Sequence, residues 1–335
     1  MRTPIIRSSA SILTGVIVAA LALPPGHVRA QTAAVHPLVT QAEYERWQTE
    51  LSNWGRWGKD DELGTLNLIT PAKRKQAAAL VREGFTVSLA RDANFTKEVD
   101  NPCPQEWALT TDRPETVTDR IAYPCIHGPG TTHLDSFAHM FFDGKMWNGY
   151  SRSLVTKEGG ASKVSILTTK NGIVTRGVLY DIPRLKGVPY LEPGTRIFPA
   201  DLEAWEAKTG VKVTAGDALI LRWGKWAQRA KAGPQAGDEA AGFDNSVIPW
   251  LKKRDIGLLV WETPGYLPQP PGDLSRNALH NFVLEILGVH ILDRADLEAL
   301  SEAAATRNRW EFMLTVAPLP IPNGTGSPVS PIAMF

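Results

Sequence analysis

The segment Thr131-Thr132-His133-Leu134-Asp135-Ser136-Phe137-Ala138-His139 gathers side chains suited to holding a cation. Two histidines and an aspartate fall within seven residues, and His127 lies just upstream. Three of the chain's seven histidines therefore sit between positions 127 and 139. On an extended backbone alternate residues share a face, which puts His133 and Asp135 side by side. Imidazole nitrogen with carboxylate oxygen is the donor set of zinc, manganese or iron. A metal-dependent reaction is the chemistry this spacing favours. The plainer reading is a buried, hydrogen-bonded His–Asp pair.

The second half of the chain offers further candidates. His280 opens a helix-like run, and Gly288-Val289-His290-Ile291-Leu292-Asp293 follows it. His280 and Asp293 complete the donor set if the fold brings them to the first cluster, which spacing alone does not decide. His290 reads as an ordinary core or surface histidine. Glu262 follows a strand and precedes Thr263-Pro264-Gly265, which suits a strand-end site role, with a solvated turn as the plainer reading. Lys59, Asp60 and Asp61 read as surface charges or caps.

These residues need elements to position them. Residues 31–50 read as a helical lead-in, and 54–67, rich in Gly, Trp and acidic residues, as a structured loop. Thr70 followed by Pro71 is a helix start, an N-cap hydroxyl before a first-turn proline. That helix is expected over 72–82, with Gly84 stopping it. Strands are expected over 85–89, 173–180, 217–223, 256–261 and 310–316. Helices are expected over 199–209, with Trp205 on the apolar face, and over 279–287 and 296–305. The stretch 92–125 holds several prolines without a clear period and reads as a long loop of the kind that often carries function. Residues 317–331 form a Pro/Gly-rich tail. The alternation of short strands and helices reads as mixed α/β. Dinucleotide, P-loop and serine-hydrolase elbow motifs are absent, and no internal repeat is found.

Composition narrows the partners. The 335 residues carry 36 Lys+Arg against 35 Asp+Glu, a net charge of +1 without a basic block, so no nucleic-acid partner is expected. Arg2 and Arg7 precede a mostly apolar run over 10–23, and Val28-Arg29-Ala30 ends in a small residue. This reads as a signal peptide over 1–30, cleaved after Ala30, with an uncleaved anchor as the alternative. The remainder, 31–335, is expected to be a single domain in the periplasm or secreted, with no membrane association after cleavage. Cys103 and Cys125 are too far apart for a C-x-x-C zinc pair. In an oxidising compartment they can form a disulfide, or they stay as two buried thiols.

The order of several segments resembles a known family. Gly130-Thr131-Thr132-His133-Leu134-Asp135-Ser136-Phe137-Ala138-His139 partly matches the motif H-x-G-T-H-x-D-x-P-x-H of the metal-dependent cyclase family, which includes bacterial kynurenine formamidases and isatin hydrolases. Trp57-Gly58-Lys59-Asp60-Asp61, Leu63-Gly64-Thr65-Leu66-Asn67, Gly177-Val178-Leu179-Tyr180-Asp181, Gly216-Asp217-Ala218-Leu219-Ile220-Leu221-Arg222 and Gly326-Ser327-Pro328-Val329-Ser330-Pro331-Ile332-Ala333 resemble its other segments. The likeness runs from about residue 54 to the C-terminus and is to the longer members.

The resemblance implies a swivelling β/β/α-type α/β fold, with a mixed β-barrel-like core flanked by helices, in a homo-oligomer. It implies a divalent metal, Zn or Mn, at His133 and Asp135, with His280 at the downstream histidine and Asp293 near a position often held by Glu or Gln. It places His139 where the family has a proton-shuttling histidine. Two positions depart from the pattern. Pro129 stands where the first ligand falls, leaving His127 to substitute, and Phe137 replaces the motif proline. Whether one or two ions bind is left open.

The chemistry implied is hydrolysis of a small molecule. A metal with open positions lowers the pKa of water toward neutrality, and His139 would move the proton to the leaving nitrogen or oxygen. The bonds expected are those of aryl formamides, cyclic amides or lactones. Phe137, Trp57 and Phe142 are candidates for the substrate pocket, as are Trp54, Trp147 and Trp261, with core packing as the plainer role for most. The alternative function is a non-catalytic periplasmic protein that binds a small ligand at a degenerate metal site. An enzyme that dehydrates or isomerises with the same metal is a further alternative.

Overall fold

The structure is a computed structural model. It describes Met1 and residues 37–236, 240–265, 267 and 274–335. The expected leader and its cleavage site lie outside the described residues. Among the described residues no helix is long and apolar enough to cross a membrane.

The unit Leu38–Phe335 is built on one nine-stranded sheet. Its strands, in chain order, are β1 (Thr86–Ser88), β2 (His133–Asp135), β3 (Ile173–Asp181), β4 (Ala218–Arg222), β5 (Leu258–Trp261), β6 (His290–Asp293), β7 (Glu311–Val316), β8 (Gly326–Pro328) and β9 (Ile332–Met334). They lie in the order β1-β9-β7-β3-β4-β5-β6-β2-β8. The central four, β3 to β6, run parallel, and the flanking pairs are antiparallel. The sheet curls into a half-barrel flanked by helices, the mixed α/β architecture expected from the sequence.

The strand sequences explain the layering. Strands buried on both faces read as continuous apolar runs, and Ala218-Leu219-Ile220-Leu221 and Leu258-Leu259-Val260-Trp261 are of that kind. Alternation then divides them. Leu259, Trp261 and Ile291 join the core on the site's face, while Leu258, Val260 and Leu292 join the core on the other.

The helix Pro199–Thr209 matches its expected bounds. Its Trp205 is buried and donates to the Leu179 carbonyl at 2.8 Å. The Thr70 hydroxyl accepts from Lys73 N at 3.2 Å and starts the helix Pro71–Ala78, which ends four residues before its expected limit.

The stretch 92–125 is not a featureless loop. Glu106–Arg113 and Thr116–Ala122 pair as an antiparallel hairpin with both faces largely exposed. The prolines that argued for a loop, Pro102, Pro104, Pro114 and Pro124, all lie outside these strands, where they interrupt no ladder hydrogen bond. A Cys103–Cys125 disulfide closes the hairpin's base. Other elements also differ from expectation. The expected helix over 279–287 is one α-turn, Ala278–Asn281, running into a π-turn, Phe282–Ile286. The helices Lys225–Ala232 and Ile248–Arg254 and the strand β6 add to the sequence reading, and β8 lies within the expected tail.

Candidate metal centre

β2 carries His133 and Asp135, both buried. Its neighbour β6 ends at Asp293, which sits directly opposite His133 in the register. The turn Ala278–Asn281 brings in His280, and the segments flanking β2 bring in His127 and His139. Five residues named from the sequence as metal ligands, with His139, thus converge on one place.

The contacts are short. His127 Nδ1 lies 2.7 Å from Asp135 Oδ1, and its Nε2 lies 3.1 Å from Thr325 Oγ1. His280 Nε2 lies 3.2 Å from Asp135 Oδ2 and 3.4 Å from Asp293 Oδ2. Trp261 Nε1 donates to Asp293 Oδ1 and fixes that carboxylate. The His127 and His139 rings stack with centroids 3.6 Å apart. Candidate donor atoms form two groups sharing Asp135, His127/Asp135/His139 and His133/Asp135/Asp293, each within 4.8 Å.

The donor set fits a cation for a specific reason. His133 Nδ1 lies 2.7 Å from the Thr131 carbonyl, an acceptor, so Nδ1 carries the hydrogen. In the neutral ring Nε2 is then a lone pair, facing Asp135 Oδ1 at 3.4 Å and Asp293 Oδ2 at 4.0 Å. Three electron-rich atoms facing one another repel unless positive charge lies among them; the His280 ring reaches the outer oxygens Asp135 Oδ2 and Asp293 Oδ2, and a cation between His133 Nε2 and the carboxylates would neutralise the rest. Burial holds the His133 pKa below its ordinary value despite Asp135 and Asp293, so a proton on Nε2 is disfavoured. Asp135 Oδ2 is also buried without a hydrogen bond of good geometry. The carbonyl-bonded imidazole is the outer-shell arrangement that fixes a metal-binding tautomer.

The other titrations follow the same geometry. Burial would raise Asp135, but His139, His127, His280 and His133 around it hold it well below the usual carboxylate range. Burial would lower His280, yet Asp135 and Asp293 push it up to about 9. Burial takes His139 down to about 4 against the pull of Asp135, so its imidazole is neutral near pH 7.

A cavity of about 280 Å³ opens on the cluster. His127, His133, His139, His280 and Asp293 line it. Pro129, Met140, Pro264, Asn277 and Arg294 complete the wall, and of these only Pro129 drew attention in the sequence, as a departure. Asn277 stands three residues before His280 and Arg294 directly after Asp293, so adjacency was the signal that could have found them.

The aromatic candidates are not among the described lining residues. Phe137 is buried, with its ring 3.9 Å from His290 and 5.6 Å from Trp147. Trp57 packs against Trp147 at 6.3 Å, and Phe142 sits in a turn bridged to Lys145. Trp147 and Trp261 are fully buried. His290 is core, with burial lowering its pKa to about 3.

Glu262 corrects the expectation of a solvated turn. It is fully buried, and its Oε2 accepts from the backbone N–H groups of Trp223, Gly224 and Lys225 at 2.8, 2.7 and 3.2 Å. Asp61 is likewise structural, accepting from Gly64 N, Asn67 Nδ2 and Trp147 Nε1.

The fold and the sequence agree on the class of protein. The sequence profile of the cyclase family matches residues 76–266. The crystal structure of a novel cyclase is 30% identical, covers 86% of this chain and 99% of its own, and superposes with a TM-score of 0.74. Isatin hydrolase A from Labrenzia aggregata, bound to benzyl benzoate, shares the fold at 20% identity, with 77% of this chain and 95% of that one covered and a TM-score of 0.52. An isatin hydrolase bound to the product analogue thioisatinate does so at 16% identity, with 78% and 95% covered and a TM-score of 0.51. No curated protein matches at a significant level. This chain belongs to the cyclase family.

Proposed function

We propose that the chain is a metal-dependent hydrolase that cleaves an amide, cyclic amide or lactone bond of a small molecule. The observation that carries this is the buried convergence of His133 Nε2 with carboxylate oxygens of Asp135 and Asp293, beside a histidine kept neutral. His133, Asp135 and Asp293 would hold the ion, with His127 and His280 alongside. Zinc or manganese bound there supplies a Lewis acid and a water acidified toward neutrality.

The chain's own residues do the rest. Trp261 fixes Asp293, and the Thr131 carbonyl fixes the His133 ring. His139 is unprotonated near pH 7, so it can take a proton from the attacking water and give it to the leaving nitrogen or oxygen. Its stacking on His127 sets the plane from which that proton moves. The Cys103–Cys125 disulfide supports a further part of the proposal, that the chain works in an oxidising compartment, periplasmic or extracellular.

The test is turnover by metal-loaded wild type and His139→Ala on aryl formamides, cyclic amides and lactones. The expected result is hydrolysis, adding one water to the substrate, which the variant loses by about 10²–10⁴-fold while keeping its metal. A variant as active as wild type would overturn the role of His139. A wild type that binds such compounds and leaves them intact would favour a binding protein instead.

A further inference from the structure

Asn277 is the one carboxamide among the described residues lining the cavity. It precedes the turn Ala278–Asn281 but its side chain makes no capping hydrogen bond. Among the described residues its carboxamide has no hydrogen-bond partner at all, although its backbone carbonyl accepts from Asn281 N at 2.9 Å. The turn itself is well held. Ala278 N donates to the Ser275 carbonyl at 2.9 Å, and the buried Tyr44 hydroxyl donates to the Ala278 carbonyl at 2.8 Å. Residues three apart on a helical turn share a face, so Asn277 and His280 both look into the cavity that they line.

The surrounding chemistry gives this amide a use. Asp293 and Asp135 are acceptors, and His133 presents a lone pair, so none of them can donate to a carbonyl oxygen. The wall's cationic donors are Arg294 and His280, whose Nε2 faces the carboxylates of Asp135 and Asp293, and Asn277 is its neutral amide donor. Pro129, Pro264 and Met140 supply no side-chain N–H or O–H. Attack on a carbonyl moves negative charge onto its oxygen. A preplaced N–H donor that costs no reorganisation is worth most in such a walled site.

We propose that Asn277 Nδ2 donates a hydrogen bond to the carbonyl oxygen of the substrate and stabilises the charge that develops there. The class of substrate follows: a carbonyl compound whose oxygen can reach both the candidate metal cluster and the His280 turn. This rests on the hydrolase reading.

The experiment compares metal-loaded wild type with Asn277→Ala and Asn277→Gln. Turnover of formanilide, phthalimide and dihydrocoumarin is measured, with metal content by elemental analysis and affinity for benzamide by calorimetry. The Ala variant is expected to lose about 10²–10³-fold in kcat, as for removal of one such donor. KM should change little, metal content should not change, and Gln should recover part of the rate. A kcat for Asn277→Ala within twofold of wild type would overturn the proposal. If wild type turns over none of the three compounds, the hydrolase reading is what has failed, and benzamide decides on Asn277. Binding that the Ala variant weakens upholds the contact. Equal binding by both proteins, or none by either, refutes it.

Discussion

His127 and His139 lie ring on ring, centroids 3.6 Å apart and planes within 7° of parallel, on the wall of the cavity over the candidate metal cluster. His127 is tied at both nitrogens, to Asp135 and to Thr325, so it can serve as a fixed platform for His139. Replacing His127 with alanine removes this platform and one of the candidate donors. We expect His127→Ala to lose at least tenfold in kcat and to bind metal more weakly while keeping its far-ultraviolet circular dichroism. Unchanged kcat and metal affinity would show that the stack has no functional part.

Gly326 tests the same platform without touching a titratable group. A Cβ there would lie 2.6 Å from His127 Cε1 and 3.0 Å from the Leu134 carbonyl oxygen. Both are inside ordinary contact distance, and the ring is the part able to move. Gly326→Ala should therefore displace His127, lowering metal affinity and turnover together. The check is metal titration followed by fluorescence. An affinity equal to wild type would mean that the ring's position is not critical.

The disulfide leads straight into this region. Cys125 is two residues before His127, and its carbonyl accepts from Gly128 N at 3.0 Å. Closing a loop of this size contributes about 3 kcal/mol through the unfolded chain. The Cys103→Ser/Cys125→Ser variant is expected to lose up to about that much stability in urea unfolding, and to bind metal less tightly because the His127 segment is less constrained. A variant matching wild type in both measurements would contradict the clamp.

Glu262 gives a pH-dependent prediction away from the cluster. Burial outweighs Arg222 and the backbone N–H bonds and raises its pKa to about 8 from an ordinary 4.5. In the unfolded chain the carboxyl ionises first, so the folded state retains its proton over that range. Its contribution is fully present below about pH 4.5 and is lost as pH rises toward 8. Glu262→Gln, which cannot ionise, should gain stability relative to wild type between pH 5 and 8 and level off above. The expected span is on the order of a few kcal/mol. Urea unfolding of both proteins at pH 5 and 9 checks it. A difference that does not move with pH would contradict the buried, proton-retaining carboxyl.

Local chemistry was legible and long-range geometry was not. Thr70 before Pro71 announced a helix start, and the apolar runs of β4 and β5 announced buried strands. His133 and Asp135 could be paired because they share one strand. His280 and Asp293 needed the family resemblance, because their arrival depends on β6 lying beside β2, a pairing between residues more than 150 positions apart in the sequence. The helix Lys225–Ala232 gave no local signal at its start. Gly224 precedes it, and the N–H groups there are satisfied by Glu262 at the far end of β5 rather than by a capping side chain. In the hairpin both faces are largely exposed, so its strands bury no alternating apolar face that the sequence could show, and the flanking prolines pointed to a loop.

If His133 and Asp135 hold a catalytic metal, metal content per chain must depend on them. Wild type and the His133→Ala/Asp135→Ala double variant would be loaded with zinc or manganese, dialysed and analysed for bound metal, with circular dichroism to confirm that both are folded. Stoichiometric metal is expected in the wild type and none in the folded variant. A wild type that stays empty, or a variant that retains its metal, would contradict it.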